Sequence, residues 1–304
     1  MIRAAISETW HYVKALNDSI SEHEIIDRSA QVAYFLLLSV FPFLVALLGL
    51  LAQFNLAEEV NLLEDLIREA LPGMLADALV TEIQSIAFAE TGGRIIVGFG
   101  LGLYATHRAV HALILGVNKA WNTREDRNFM IVRGIAIAMS VGAMLGVMLL
   151  LVGLALGDFA LENIQARGWV SASVTSWIRI LRWPTVFTLG HFAVNAVYRV
   201  GANTPLRWRW STWGSVFATV SWVVIFEGFH LYVNNVTDLG ATYGSLGAAA
   251  GLLILFYSLV SAVFIGAEID ALNYARRDIR RARRAAWKRS RNPEPEDADL
   301  ESQH

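Results

Sequence analysis

Tyr104-Ala105-Thr106-His107-Arg108-Ala109-Val110-His111 lies inside an otherwise apolar run from about Ile95 to Val117, long enough to cross a bilayer. An arginine between two histidines costs about 3 kcal/mol or more to place at mid-bilayer. On a helix turning about 100° per residue, Tyr104, His107, Arg108 and His111 share one face. We therefore expect this face to contact protein or water rather than lipid, and the other apolar segments to provide the shelter.

The composition identifies an integral membrane protein. The chain is 55% hydrophobic and only 17% charged, with a mean hydropathy of +0.44, and its apolar residues come in long blocks. A soluble domain of this length would carry more charge and would alternate apolar with polar residues. Cysteine is absent, so disulfides and thiolate metal sites are excluded. The sequence indicates no metal site and no cofactor.

The blocks predict an all-α polytopic membrane protein with six transmembrane helices in a domain from 29 to 272. A cytoplasmic amphipathic segment, 1–28, precedes it and is expected to lie on the membrane surface. Between the first and second crossings, 56–90 is amphipathic and acidic, and Pro72-Gly73 divides it into two extramembrane helices. The fourth crossing is short but has an alternative start at Val174. The expected crossings are Ser29–Ala52, Ile95–Val117, Ile131–Leu156, Trp183–Val200, Thr212–Val236 and Leu246–Ala271.

The distribution of lysine and arginine along the chain predicts that both termini are cytoplasmic. With that orientation, nineteen of the 25 basic residues lie in inner segments and five in outer ones. The remaining one is Arg108, inside the membrane. An excess of basic residues on the cytoplasmic side is the usual determinant of orientation.

The tail 273–304 divides into a basic and an acidic part. Nine basic residues between Arg276 and Arg291 continue the helical spacing, which favours binding to anionic lipid headgroups. Nucleic acid is a less favoured partner for this helix. The acidic residues 292–304 are predicted to be disordered.

Small residues mark two of the predicted helices. Gly142, Gly146, Gly153 and Gly157 lie on one face of the third crossing and predict close approach of a neighbouring helix. Gly244, Gly247, Gly251, Ser258 and Ala262 form a similar stripe on the sixth, for which packing is favoured over a gate.

Polar residues on three further crossings predict a shared, hydrated cavity with Arg108. His191 and Asn195 share one face of the fourth helix, and Glu227 and His230 share one face of the fifth. Glu268 is expected at the cytoplasmic mouth. The donor fork of Arg108 suits a phosphate or carboxylate, so an anionic small molecule or lipid headgroup is the expected partner. A structural role for Arg108, and hydrogen bonding between helices for each histidine, remain alternatives.

Several separated blocks resemble the YihY/BrkB family over nearly the whole membrane portion. They are Ser29–Pro42 (SAQVAYFLLLSVFP), Tyr104–Trp121 with its Asn-x-x-Trp exit, the residues Tyr198, Asn203 and Trp208, Tyr243–Gly247, and Gly266-Ala267-Glu268. The chain departs from the family pattern at Ala202-Asn203 and at Leu255-Phe256-Tyr257. The resemblance implies a six-helix inner-membrane protein without a settled activity. Members have carried the labels ribonuclease BN, regarded as misassigned, and virulence factor, and transport has been suggested.

These observations favour a transporter or lipid-handling protein of the bacterial inner membrane over an enzyme. A non-catalytic scaffold or assembly factor is the alternative, and self-association stays open. A ribonuclease is disfavoured because the histidines lie on membrane helices and no loop carries a paired-carboxylate or histidine-rich metal motif.

Overall fold

The structure is a computed structural model that describes residues 2–53, 64–65, 67–68, 71, 73–87, 92–167, 171–203, 210–236 and 245–291. Over these residues the chain is helical and contains no strand. Several predicted features lie outside the described residues: most of the first outer helix, the family-block residues Trp208, Tyr243 and Gly244, and the acidic tail 292–304. The helices are α1 (Ile2–Glu22), α2 (Ile25–Gln53), α3 (Gly73–Ala87), α4 (Gly92–Ala120), α5 (Phe129–Ala166), α6 (Ala172–Ala196), α7 (Trp213–Val236) and α8 (Ser245–Arg291).

The helix bounds follow the apolar blocks with two extensions. α6 begins at Ala172, near the earlier of the two expected starts, and ends in a π-helical turn, Val197–Gly201. α8 continues without interruption through the basic tail to Arg291, for 47 residues. Among the described helices, four contain segments long and apolar enough to cross a membrane: Ile25–Leu48, Phe129–Leu154, Trp213–Tyr232 and Gly247–Ala282.

α2 and α4 form a close pair through glycines. A Cβ on Gly98 would lie 2.7 Å from a methyl carbon of Val45, and one on Gly102 would lie 3.3 Å from the backbone nitrogen of Phe43. Pro42 lies at the same crossing, where α4 packs beside the helix turn that proline weakens. Glycine therefore sets how closely these two helices approach.

α7 and α8 meet backbone to backbone near the start of α7. A Cβ on either Gly214 or Gly266 would collide with the backbone of the other residue. The backbone N–H of Gly214 donates to the Asp270 carboxylate at 2.8 Å, so a residue of α8 caps the first turn of α7. Farther along, the indole N–H of Trp222 donates to the carbonyl of Leu259 at 2.9 Å.

α3, predicted as the second of two extramembrane helices, packs into the apolar core of the described helices. Leu75, Leu79 and Ile83 are buried in one apolar cluster with Leu47 of α2 and Leu252 of α8. A Cβ on Gly251 would lie 3.0 Å from a methyl carbon of Leu75. This contact agrees with the packing role expected for the small-residue stripe of the last helix.

α1 packs along the C-terminal part of α8. His23 contacts Glu268, and the Arg276 guanidinium carbon lies 4.5 Å from the centroid of the Tyr12 ring. Tyr12 and His23 are eleven residues apart, about 16 Å along a helix, and Glu268 and Arg276 are eight residues apart, about 12 Å. Because these two distances are similar, the two helix axes are roughly aligned. These polar and aromatic contacts hold α1 beside α8, and its expected position on the membrane surface stays a prediction.

Candidate functional site

The polar face of α4 lies on the outer surface of the described helices. Arg108 and Tyr104 are exposed, the latter to 64%. The Arg108 guanidinium carbon lies 5.0 Å from the centroid of the Phe35 ring of α2. His107 and His111 are half-buried nearby, with ring centroids 6.1 Å apart. Within the described part of the chain, no chamber encloses this face.

The opposite face of α4 explains that orientation. Ala105, Ala109 and Ala112 are buried against neighbouring helices, and Phe264 of α8 packs where Gly116 has no side chain. Small residues allow the closest helix approach in a membrane, so their face turns inward. The spacing identified the shared polar face, but the small-residue face determines which way it points.

His191 and Asn195 connect α6 to α7 through a chain of hydrogen bonds. The Asn195 amide lies 3.1 Å from Nε2 of His191, whose Nδ1 lies 3.1 Å from the Thr219 hydroxyl. Thr219 donates to the carbonyl of Ser215 at 2.8 Å, so it accepts from His191. This direction assigns a neutral imidazole protonated at Nδ1. The arrangement matches the interhelical hydrogen-bonding alternative.

Glu268 is buried near the turn between α1 and α2, with 1% of its side chain exposed. Its carboxylate lies 2.5 Å from Nδ1 of His23, in the turn between α1 and α2. The Arg28 side chain donates to the His23 carbonyl at 3.1 Å and holds that turn against α2. Glu268 therefore joins α8 to the N-terminal helices.

Glu227 and His230 line an apolar groove between α5, α6 and α7, with a volume of about 930 Å³. We call it the lateral groove. Its walls include Trp183 and Phe187 of α6 and Trp222 of α7, and both polar residues are exposed. Because α5 and α7 are of membrane-spanning length, the groove runs beside the hydrocarbon layer.

The glycines of α5 create this groove instead of a helix contact. Gly142 and Gly146 line it, and a Cβ on either residue would meet nothing within 4 Å. Gly153 and Gly157 also face open space. The predicted close approach of a helix at this stripe is therefore wrong in the described part of the chain. Periodicity identifies a small-residue face but not what occupies the space beside it.

A polar network between the α4–α5 loop and the end of α6 was missed by sequence reasoning. Arg127 donates to both carboxylate oxygens of Glu125, at 2.7 and 2.6 Å, and to the carbonyl of Gly201 at 2.7 Å. Asn118 donates to Glu125 at 2.8 Å and accepts from the backbone N–H of Asn203 at 2.7 Å. We call these contacts the loop network; they join the α4–α5 loop to the end of α6.

Local sequence favours this loop geometry. Asn122, two residues after the end of α4, has a φ of 48°, a left-handed conformation that asparagine tolerates at a helix end. The hydrogen bond from Arg127 lowers the pKa of Glu125, while the same contact raises the pKa of Arg127. The available sequence signal was that Asn118 and Asn203 belong to two of the family blocks. The structure brings these two residues together.

A smaller cavity of about 290 Å³ lies beside this network, near the start of α7. Trp121 and Tyr274 contribute aromatic walls, with ring centroids 5.9 Å apart. Arg199, Asp270 and Arg277 also line it. The predicted polar residues thus occupy separate places: the outer face of α4, the α6–α7 contact, the lateral groove and the α1–α8 contact.

Helices of membrane-spanning length and the apolar composition define a multi-pass helical membrane protein. A family model described as Virulence factor BrkB matches residues 16–292, and the chain belongs to this family.

Named bacterial relatives cover most of the chain. A Bacillus subtilis protein named ribonuclease-like protein YfkH is 30% identical over 272 residues, covering 88% of this chain and 97% of that protein. A UPF0761 membrane protein of Vibrio vulnificus is 24% identical over 269 residues, covering 86% and 81%. Another from Aliivibrio salmonicida is 26% identical over 271 residues, covering 86% and 83%. No solved structure matches this chain.

Proposed function

We propose that this chain is a lipid-handling membrane protein whose lateral groove takes an acyl chain. The observation that carries the proposal is the groove of about 930 Å³, walled by apolar side chains of three helices. Lipid tails surround such a groove in a bilayer. They gain no hydrophobic energy by entering, so packing against Trp183, Phe187 and Trp222 would select the occupant.

The polar groups of the groove suit a lipid with an anionic headgroup. Glu227 lies fourteen residues from the start of α7, about 21 Å along the helix, and His230 lies about one turn farther. The Arg182 guanidinium carbon lies 5.7 Å from the centroid of Trp183, whose side chain lines the groove. This arrangement supports a phosphate near Arg182, with Glu227 and His230 contacting the hydroxyl or ester groups of the same lipid.

The proposal includes six crossings, with both termini cytoplasmic, in the bacterial inner membrane. Besides the four long apolar segments, α4 and α6 contain 29 and 25 residues. They are therefore about 44 and 38 Å long, enough for a hydrocarbon layer of about 30 Å. The nineteen inner basic residues support the orientation.

The basic end of α8 supports a second lipid contact, with anionic headgroups of the cytoplasmic leaflet. Asp270, at the level of the first turn of α7, marks the inner boundary in this orientation. Arg276 and Arg280 lie about 9 and 15 Å beyond it, within reach of headgroups and about one Debye length of them. Arg291 lies about 32 Å beyond the boundary and contributes little.

We further propose that the chain is not an enzyme. The relative's name, ribonuclease-like, raises metal-dependent RNA cleavage as another candidate. Among the described residues, no three histidine, cysteine or acidic side chains are grouped as metal ligands. Glu227 and His230 line a groove between membrane helices, where RNA has no access.

A scaffold role is the second candidate, favoured by the family-block residues that join helices. Tyr198 donates to the carbonyl of Val263, and Gly266 packs on Gly214. A scaffold would not need the lateral groove to be open, which separates it from lipid handling.

The test fills the groove without disturbing the fold. Leucine at Gly142 or Gly146 would project into open groove space, whereas Gly134→Leu, also on α5 with nothing within 4 Å of its Cβ, places the same side chain outside the groove. Full-length protein in lipid nanodiscs would be photolabelled with a phospholipid carrying a diazirine on its acyl chain. Labelled peptides would then be mapped by mass spectrometry.

We expect label on α6 and α7 residues of the groove in the unmodified chain and in Gly134→Leu, and its loss in Gly142→Leu and Gly146→Leu. Equal labelling in all four proteins would refute an acyl-chain site. A groove that labels only when two copies dissociate would instead identify a second copy of the chain as the occupant.

A further inference from the structure

We propose that Arg108 and Arg133 form a binding site for the phosphate of an anionic phospholipid in the cytoplasmic leaflet. The site lies at the seam of α4 and α5, outside the lateral groove, and does not depend on the groove being functional. The sequence singled out Arg108 but gave no separate role to Arg133.

Four nitrogen-bearing side chains gather at this seam. His107 lies against the backbone carbonyl of Ala136 on α5, and Arg108 and Arg133 both lie within Coulombic range of His107 and His111. The two guanidinium groups are exposed, one on each helix. Only cationic or neutral titratable groups act on the two histidines here.

The described residues provide no counter-charge for either arginine. Neither Arg108 nor Arg133 forms an ion pair or hydrogen bond with any described side chain. The contact found for each is an aromatic ring. The Arg108 guanidinium carbon lies 5.0 Å from the Phe35 centroid, and that of Arg133 lies 5.0 Å from the Phe129 centroid.

These two contacts orient the arginines for phosphate. A ring packed on the face of a guanidinium restrains its plane but leaves its N–H edge free. That edge donates two parallel hydrogen bonds to a phosphate, which lysine cannot do. Each arginine therefore offers a donor edge at the seam, and we assign both edges to the non-bridging oxygens of one phosphodiester.

Their depth selects a lipid as the source of the phosphate. Arg133 lies four residues inside the start of α5, about 6 Å from its cytoplasmic end, and Arg108 lies about 18 Å from the end of α4. Long side chains extend toward the interface, so Arg133 reaches the level of the headgroups, and Arg108 extends toward that level from deeper in the membrane. Met130 and Ile137, exposed to 71% and 48%, flank the seam on α5 and provide surface for an acyl chain.

The experiment measures phospholipid binding by full-length protein. The protein would be stripped of lipid in neutral detergent and titrated with phosphatidylglycerol or phosphatidylcholine, and bound lipid would be counted by native mass spectrometry. The variants are Arg108→Gln, Arg133→Gln and their pair. Arg124→Gln is the matched control, because it removes one exposed positive charge from the adjacent loop. A parallel titration would add inorganic phosphate as competitor.

We expect one phosphatidylglycerol site of higher affinity than any phosphatidylcholine site, weakened about tenfold or more in the paired variant. Arg124→Gln should bind phosphatidylglycerol like the unmodified protein, and inorganic phosphate should not displace the lipid. The outcome of the groove-labelling experiment does not affect the expected phosphatidylglycerol titration. Each experiment can therefore refute its own proposal without refuting the other.

Equal weakening by Arg124→Gln would overturn the proposal, because the attraction would then be general surface charge. Displacement by inorganic phosphate would show a soluble anion site instead of a lipid site. If the paired glutamine variant does not fold, Arg108→Lys/Arg133→Lys keeps both charges but removes the donor forks. Unchanged affinity in that pair would equally overturn the assignment.

Discussion

Replacing Arg127 should lower the stability of the protein, because its side chain joins the α4–α5 loop to the end of α6. It makes two hydrogen bonds to Glu125 and one to the carbonyl of Gly201. Hydrogen bonds to charged groups contribute about 1.5–3 kcal/mol each, but both side chains are 20% exposed and solvent screens the pair. We therefore expect Arg127→Ala to lower the free energy of unfolding by about 2–3 kcal/mol.

The assay is thermal unfolding of detergent-purified protein, followed by intrinsic tryptophan fluorescence. A loss of this size corresponds to roughly 4–10 °C in a chain of this length. Arg124→Ala is the control, since its exposed side chain lies outside the loop network, and it should change the midpoint by less than about 2 °C. A double-mutant cycle with Glu125→Gln should give a coupling energy of about 1–2 kcal/mol.

The same pair predicts a pH dependence of stability. The pKa of Glu125 is lowered from its ordinary value of 4.5, chiefly by the hydrogen bond from Arg127. The carboxylate therefore contributes its full stabilisation above about pH 4.5, the unfolded value, and loses it as pH falls through the lower folded value. The difference between Arg127→Ala and the unmodified protein should narrow below pH 4.5. A coupling energy under about 0.5 kcal/mol at pH 7, or a difference that does not depend on acid pH, would refute the reasoning.

Two further contacts give sharp expectations. Gly266→Ala should prevent accumulation of monodisperse protein, because its Cβ collides with the Gly214 backbone, whereas Gly134→Ala meets open space and should purify normally; a stable Gly266→Ala protein would contradict the backbone contact. His23→Leu should destabilise the protein by about 3–5 kcal/mol by leaving Glu268 buried without its partner, and His23→Leu/Glu268→Met should recover most of that loss in the same unfolding assay. If the double variant does not recover stability, the contact between His23 and Glu268 contributes more than the pairing of their charges.

Helix positions were readable from the sequence because the bilayer demands long apolar blocks. α2, α4 and α7 begin and end within a few residues of the expected bounds. The start of α6 was harder to place, since Arg179 and Arg182 interrupt its apolar pattern. The helical spacing expected for the basic tail agrees with α8, which continues unbroken to Arg291 because no helix-breaking residue interrupts it.

The orientation of polar faces was not readable, for a physical reason. Helical spacing shows that His107, Arg108 and His111 share a face, but the opposite small-residue face competes for the interior, and close packing won. For the glycines of α5, the same spacing is compatible with a packed helix or with open space. The contact between Arg127 and Gly201 joins residues far apart in the chain, so only the fold reveals it.

α8 runs for 47 residues from beside α3 to beyond α1, a length of about 70 Å. At one end it seats Leu75 of the outer helix, and at the other it holds His23 and Tyr12. Without a break to act as a joint, such a rod transmits tilt along its full length. A protein or ligand that pulls on its arginine-rich end would therefore displace α3 at the other end of the helix.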